Sequence, residues 1–329
     1  MSQLPEFKLL LKLHRQQLTP KERAKTRFIS PPRSLYPIAI EEIYAQRITD
    51  IQKELVNFVE SKISALVPKL VERVDDLHTD DILDQEYEQI QQEIQNRLVA
   101  IYGTSIMANK TIQAILASVA EKTRAFRETG FSKQILAIAG IPFVPQSPNW
   151  RNIKAAWELT NYTLIKNLST EYIQKINTVV LTGIQAGWTT EEIAKELTML
   201  GDKISGYRAR LIARDQMGKL NNKITRDLYL NVGIRCYMWN TARDERVRGN
   251  PHGKYPKAIP SHWLMDSKIC RFDDSTVYTP DAGKTWIPRT ADMSFTEPGL
   301  EILCRCVTSP IAFEIIDEVD ADIRQQGVY

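Results

Sequence analysis

Nothing in this sequence is built to cross a bilayer. Its most apolar run, from Ile135 to Pro145, contains Pro142 and falls well short of the roughly 18 to 20 residues that a span requires. The N-terminus carries no secretory signal pattern, because Lys8 and Lys12 interrupt its apolar residues and no small-residue cleavage site follows. Cysteine is scarce: Cys236, Cys270, Cys304 and Cys306 all lie in the last third. That distribution excludes a disulfide framework for the whole chain and leaves thiols or metal ligands in a reducing compartment. Common enzyme signatures are also missing: no Gly-rich phosphate loop, H-E-x-x-H or nucleophile elbow occurs. No catalytic residue is therefore expected.

What is present is an ordinary globular composition of 329 residues, 43% apolar and 25% charged, enough for two or three domains. The net charge of +3 conceals blocks. Residues 1–35 carry eight Lys/Arg against two Asp/Glu, residues 36–100 six against fourteen, and residues 311–329 one against five. Such blocks suit contact with a charged partner, protein or nucleic acid.

Five prolines between Pro5 and Pro37 predict a largely extended basic arm over 1–40. A variable helical region follows over 41–145. In it Tyr44, Ile48, Ile51, Leu55 and Phe58 step by four and three like a helix-packing seam. An acidic loop at 75–84, a helix from Tyr87 to Gly103 and a helix from about 109 to 129 ending at Gly130 come next. The three prolines from Pro142 to Pro148 mark a boundary near 146. Beyond it the pattern predicts helices over 151–166, 169–186, 190–200 and 205–231, the third opened by a Thr189/Glu192 capping box. From Ile234 the texture becomes short, aromatic and β-branched. Strands are expected at 234–239, 267–272 and 304–311, with a hairpin over 277–287 and an acidic tail at 313–329. The fold class is α+β: a mostly helical N-terminal two thirds, then a small mixed α/β C-terminal module with short strands.

Three groups of residues have chemical potential. Arg208, Arg214, Lys219 and Lys223 make the 205–231 helix basic, which suits phosphate contact without base reading. Arg243, Arg246 and Arg248 flank Asp244, whose carboxylate is positioned to lock the loop through guanidinium hydrogen bonds. His262, Cys304 and Cys306, with Cys270 nearby in the sequence, are the cluster with ligand potential. In a strand the C-x-C thiols would share a face and could hold one zinc ion. The C-x2-C spacing of zinc ribbons is missing, so on spacing alone two buried small side chains are the preferred reading.

The succession GWTTEEIAKEL, LIARDQMGKLNNKI, GIRCYMWNTARDERVR, SHWLMDSKICRFDD and PGLEILCRCVTSP resembles the phage Mu F-like head morphogenesis family, the minor head proteins of tailed double-stranded DNA phages. The resemblance covers about 131–312, so 146–312 is assigned as the Mu F-like domain. It departs in an insertion from Gly249 to Pro260, which makes His262 and not His252 the equivalent histidine, and in Ser267, where glycine is usual. Cys270 falls on an ordinarily apolar position and leaves the ligand list. The resemblance implies a structural protein, associated with the portal, capsid or scaffold proteins and non-specifically with double-stranded DNA, in the phage head. It implies no membrane contact. It also favours His262, Cys304 and Cys306 as one site, with Asp244 or His252 as a fourth member and zinc the sole cofactor to consider. The competing readings are a DNA-binding metal module or a toxin-related enzyme derived from the same domain.

Overall fold

A computed structural model describes residues 2–63, 106–202 and 206–326, with Gln89, Gln92 and Asn96 between them. The acidic loop at 75–84 and most of the helix expected from Tyr87 to Gly103 lie outside the described residues. The chain divides into two compact units: Met1–Glu41, Val119–Trp157 and Ala213–Tyr329 form one, Glu42–Ser118 and Glu158–Ile212 the other.

Among the described residues eight helices precede and follow a few short strands, confirming the α+β class with helices dominating the N-terminal part. They are α1 (Leu4–Gln16), α2 (Pro20–Lys25), α3 (Ile38–Ile63), α4 (Ile106–Ala139), α5 (Trp150–Gln185), α6 (Thr190–Asp202), α7 (Tyr207–Asn231) and α8 (Phe313–Gln325).

The basic arm is not largely extended. Pro5 and Pro20 sit in the first turns of α1 and α2, where the missing proline N–H has no helical partner to lose and the fixed φ suits a helix. A capping box of Thr19 and Glu22 opens α2. The acidic tail is equally a helix, α8, which buries Phe313, Ile315, Ile316, Val319 and Ile323. It packs against α1, joined by Arg15 to Asp320 at 2.6 Å and Lys8 to Glu318 at 2.8 Å, and Arg27, just after α2, pairs with Asp317 at 2.7 Å.

Two expected breaks are absent. Helix α4 runs through Gly130 because the apolar stripe continues in buried Phe131, Ile135 and Ile138. One helical glycine costs only about 1 kcal/mol, less than such a stripe contributes. Helix α5 likewise crosses 167–168, carried by buried Ile165, Leu168, Tyr172 and Ile176. The boundary expected near 146 does not separate units. Ile141 and Phe143 are buried, and the Gln146 backbone receives Asn231 and donates to Gln3, so the proline-rich turn belongs to the first unit.

In that unit β1 (Cys236–Asn240) lies between β2 (Ile269–Arg271) and β5 (Val307–Ile311), antiparallel to both, with Tyr237 opposite Cys270 and Pro310. A separate hairpin pairs β3 (Val277–Tyr278) with β4 (Ile287–Pro288). Tyr237 stacks on Phe272 at 4.6 Å, and Phe131 of α4 on Tyr229 of α7 at 4.5 Å. Cys236, Ile269, Ile311 and Phe313 form another cluster with Met238 and Trp286. In the second unit Tyr44, Ile48 and Ile51 of the expected seam are buried, and Tyr44 donates its hydroxyl to Asn161 at 2.7 Å. The Thr189/Glu192 capping box forms as expected, with reciprocal bonds of 2.8 and 3.2 Å.

Candidate metal centre

The last strand begins at Val307, so Cys304 and Cys306 do not lie on it but in the loop before it. Helix α7 shapes that loop. A Cβ on Gly218 would stand 2.6 Å from the Cys304 carbonyl oxygen, and one on Gly299 2.7 Å from the Gly218 carbonyl oxygen. Loop and helix thus meet backbone to backbone, which side chains at either glycine would prevent. Leu303, at a left-handed φ of 58°, is gripped on both sides: Arg214 Nε donates to its carbonyl at 2.8 Å, and its amide donates to Asp215 at 3.2 Å.

This grip aims the thiols inward. Cys304 Sγ lies 3.4 Å from His262 Nδ1, and Cys306 Sγ lies 3.5 Å from the same nitrogen. All three ligand atoms fall within 4.8 Å of one another and all three residues are buried. Cys304 Sγ also accepts the backbone amides of Gly299 and Cys306, each at 3.4 Å. Arg305, between the thiols, turns away to pair with Glu41 and to lie over the Tyr36 ring at 5.8 Å. The histidine is fixed from its own side. Its amide donates to the Arg248 carbonyl at 3.1 Å, its ring packs edge-on to Trp239 at 5.6 Å, and Nε2 faces Glu301 at 3.0 Å, off the direct hydrogen-bond line.

Glu301 is the hub behind the ring. It accepts from Ser294 at 2.6 Å, Thr296 at 3.0 Å and Arg248 at 2.5 Å. Burial opposes its charge, but His262 and these hydroxyls hold its pKa down to about 2. Burial likewise opposes charge on His262, and Cys304 and Glu301 outweigh it, raising its pKa to about 9. The hydrogen bond with Cys306, helped by His262 against burial, holds the Cys304 thiol well below its ordinary value; the same bond and burial push Cys306 well above. The site is thus built to keep negative charge on sulfur beside a cation. A cavity of about 260 Å³ opens next to the three residues, with Arg214, Asp244 and Arg246 among its walls.

The other expected site residues are placed differently. Asp244 lines that cavity, half-buried, and His252 is exposed; neither belongs to the close ligand group. Asp244 does not hold the three arginines. Its carboxylate accepts the Arg246 amide at 2.9 Å, while Arg243 pairs with Asp266 at 2.9 Å and Arg248 with Glu301, because the loop places these partners nearer each guanidinium. Of the basic residues on α7, Arg208 pairs with Glu171, Arg214 is engaged with Leu303, and Lys219 contacts Asp215 at 2.6 Å. Lys223 is exposed. Cys270, in β2 opposite Tyr237 of β1, is fully buried, as an apolar position would be. Sequence reasoning missed Glu301, Asp266, Gly218 and Gly299. Glu301 stands three residues before Cys304, but a lone acidic residue at that spacing carries no signal of its own.

An uncharacterized protein of Haemophilus influenzae is 30% identical to this chain over 169 residues, which cover 51% of this chain and 32% of that protein. An uncharacterized protein of Methanocaldococcus jannaschii is 33% identical over 159 residues, covering 48% of this chain and 20% of that protein. The chain therefore spans a third or less of the length of these curated relatives. No solved structure matches it. Residues 174–309, which run from within α5 through α7 and the sheet to the two thiols and into β5, match the family model described as Phage Mu protein F like protein.

Proposed function

We propose that this chain is a minor head protein of a tailed double-stranded DNA phage, present in the host cytoplasm during procapsid assembly and afterwards in the head. Its role is structural, in association with the portal and with capsid or scaffold proteins. The observation that carries this reading is the family match over 174–309. The site adds support from its chemistry. Its thiols and imidazole are buried against a backbone they hold in place, which suits a framework better than turnover. Any contact with packaged DNA is non-specific and electrostatic, made by exposed basic side chains such as Lys223 that neutralise phosphate without reading bases.

The test is genetic. In a phage or inducible prophage that encodes the chain, an in-frame deletion should leave DNA-filled heads sharply reduced, and mass spectrometry of wild-type heads should find the protein at low copy beside the portal. Normal titre and head morphology from the deletion, with no protein in purified heads, would overturn the reading.

A further inference from the structure

We propose that His262, Cys304 and Cys306 bind one zinc ion, with water from the adjoining cavity as the fourth ligand and Glu301 as the partner that orients the imidazole. The decisive geometry is that both sulfurs converge on the same nitrogen, 3.4 and 3.5 Å from His262 Nδ1. A ring nitrogen offers either one proton or one lone pair, so His262 can bond only one of the two thiols and the second is left to bond the neighbouring sulfur. An ion between them serves all three groups at once. With Zn–S near 2.3 Å and Zn–N near 2.0 to 2.1 Å, a tetrahedron sets ligand nitrogen and sulfur about 3.5 to 3.6 Å apart, within about 0.2 Å of both separations here.

Three further features belong to a metal site. Cys304 Sγ accepts two backbone amides, a pattern that stabilises thiolate. Glu301 faces the other ring nitrogen of His262 at 3.0 Å, off the direct hydrogen-bond line, which leaves Nδ1 as the ligand atom and places a carboxylate on the side of the ring from which a metal-bound histidine is supported. Two thiolates offset the charge of a divalent ion, so the loaded centre is neutral and tolerates burial. Soft sulfur ligands beside one imidazole favour zinc over magnesium or calcium. The cavity of about 260 Å³ beside the thiols is roomy enough for the completing water.

The inference concerns the isolated protein and stands or falls apart from the role in head assembly. The experiment is elemental analysis of the full chain, purified without chelator and freed of loose metal by dialysis, followed by exchange to cobalt. Near-stoichiometric zinc is expected, together with a thiolate-to-cobalt charge-transfer band in the near ultraviolet and the intense visible bands of four-coordinate cobalt. Cys304→Ser and Cys306→Ser should each remove them. Glu301→Gln should weaken zinc about 10- to 100-fold in competition with a chromophoric chelator, and Cys270→Ser should change nothing. A wild-type chain that is folded by circular dichroism yet retains neither zinc nor cobalt after incubation with either overturns the proposal. So does full metal retention in Cys304→Ser and Cys306→Ser. Should those variants fail to fold, the cobalt spectrum of the wild-type chain decides alone: thiolate bands support the site and their absence refutes it.

Discussion

Ser267 sits at a left-handed φ of 66°, exposed, just after the turn that carries His262 and directly before β2. A side chain there crowds its own backbone at a cost of order 1 to 2 kcal/mol, which glycine avoids. The resemblance to the Mu F-like family had marked this position as one where glycine is usual, and the torsion supplies the reason. Ser267→Gly should therefore raise stability by ~0.5 to 1 kcal/mol once the greater freedom of glycine in the unfolded chain is subtracted. The measurement is the denaturant midpoint at constant slope; an unchanged or lower midpoint would contradict it. At this scale the Thr189/Glu192 box was legible from local chemistry, whereas the core reading of Cys270 and the choice of His262 over His252 came from the family resemblance. Glu301 was not legible, because what makes it matter is the convergence of Ser294, Thr296, Arg248 and His262 on one carboxylate, and no spacing announces that.

Between elements, Asp266 ties the exit of β1 to the entry of β2. Its carboxylate accepts the Thr241 amide at 2.8 Å and hydroxyl at 2.9 Å, and pairs with Arg243. Burial alone would raise its pKa, but the Thr241 bonds and Arg243 outweigh it and hold the value below 3.8. A depressed folded pKa means that the ionised form is the one the fold favours. The contribution is thus complete above the ordinary aspartate range and is lost as pH falls below 3.8 and through the folded value. Asp266→Asn should flatten that part of the stability profile while lowering stability at neutral pH. The check is a set of denaturation curves from pH 3 to 7 for both proteins, and parallel profiles would exclude the linkage. Element boundaries were the less legible level. Gly130 and the stretch at 167–168 read as helix ends because a local pattern cannot show that Phe131, Ile135, Leu168 and Tyr172 are buried by tertiary packing. Pro5 and Pro20 read as breakers because a proline that starts a helix is the same residue as one that stops it.

Over the whole molecule, part of the basic arm's charge is addressed to the acidic C-terminal helix. Lys8, Arg15 and Arg27 of the basic arm face Glu318, Asp320 and Asp317 of α8, and Arg15 is almost fully buried in doing so. Their positive charge is correspondingly less available to DNA than the sequence count implied. The same fact bears on what can fold alone. The segment that matches the family, 174–309, omits α1, α8 and the part of α4 that completes the unit containing the sheet. Without them Tyr229 loses Phe131. Thr308 and Ser309 lose Ser34, whose hydroxyl donates to the Thr308 carbonyl and whose amide donates to the Ser309 hydroxyl. Cys236 and Ile269 lose Ile311 and Phe313 from their cluster. Each loss exposes apolar surface or strips a buried polar group of its partner, at about 1 to 3 kcal/mol apiece, against the 5 to 15 kcal/mol that hold an ordinary domain. A fragment of residues 174–309 should therefore show helix by circular dichroism, bind a hydrophobic dye and melt without a cooperative transition, whereas the full chain melts cooperatively. A sharp, reversible transition in the fragment, with dispersed amide resonances, would show that the matched segment carries its own core and that the arm, α4 and α8 are additions to it.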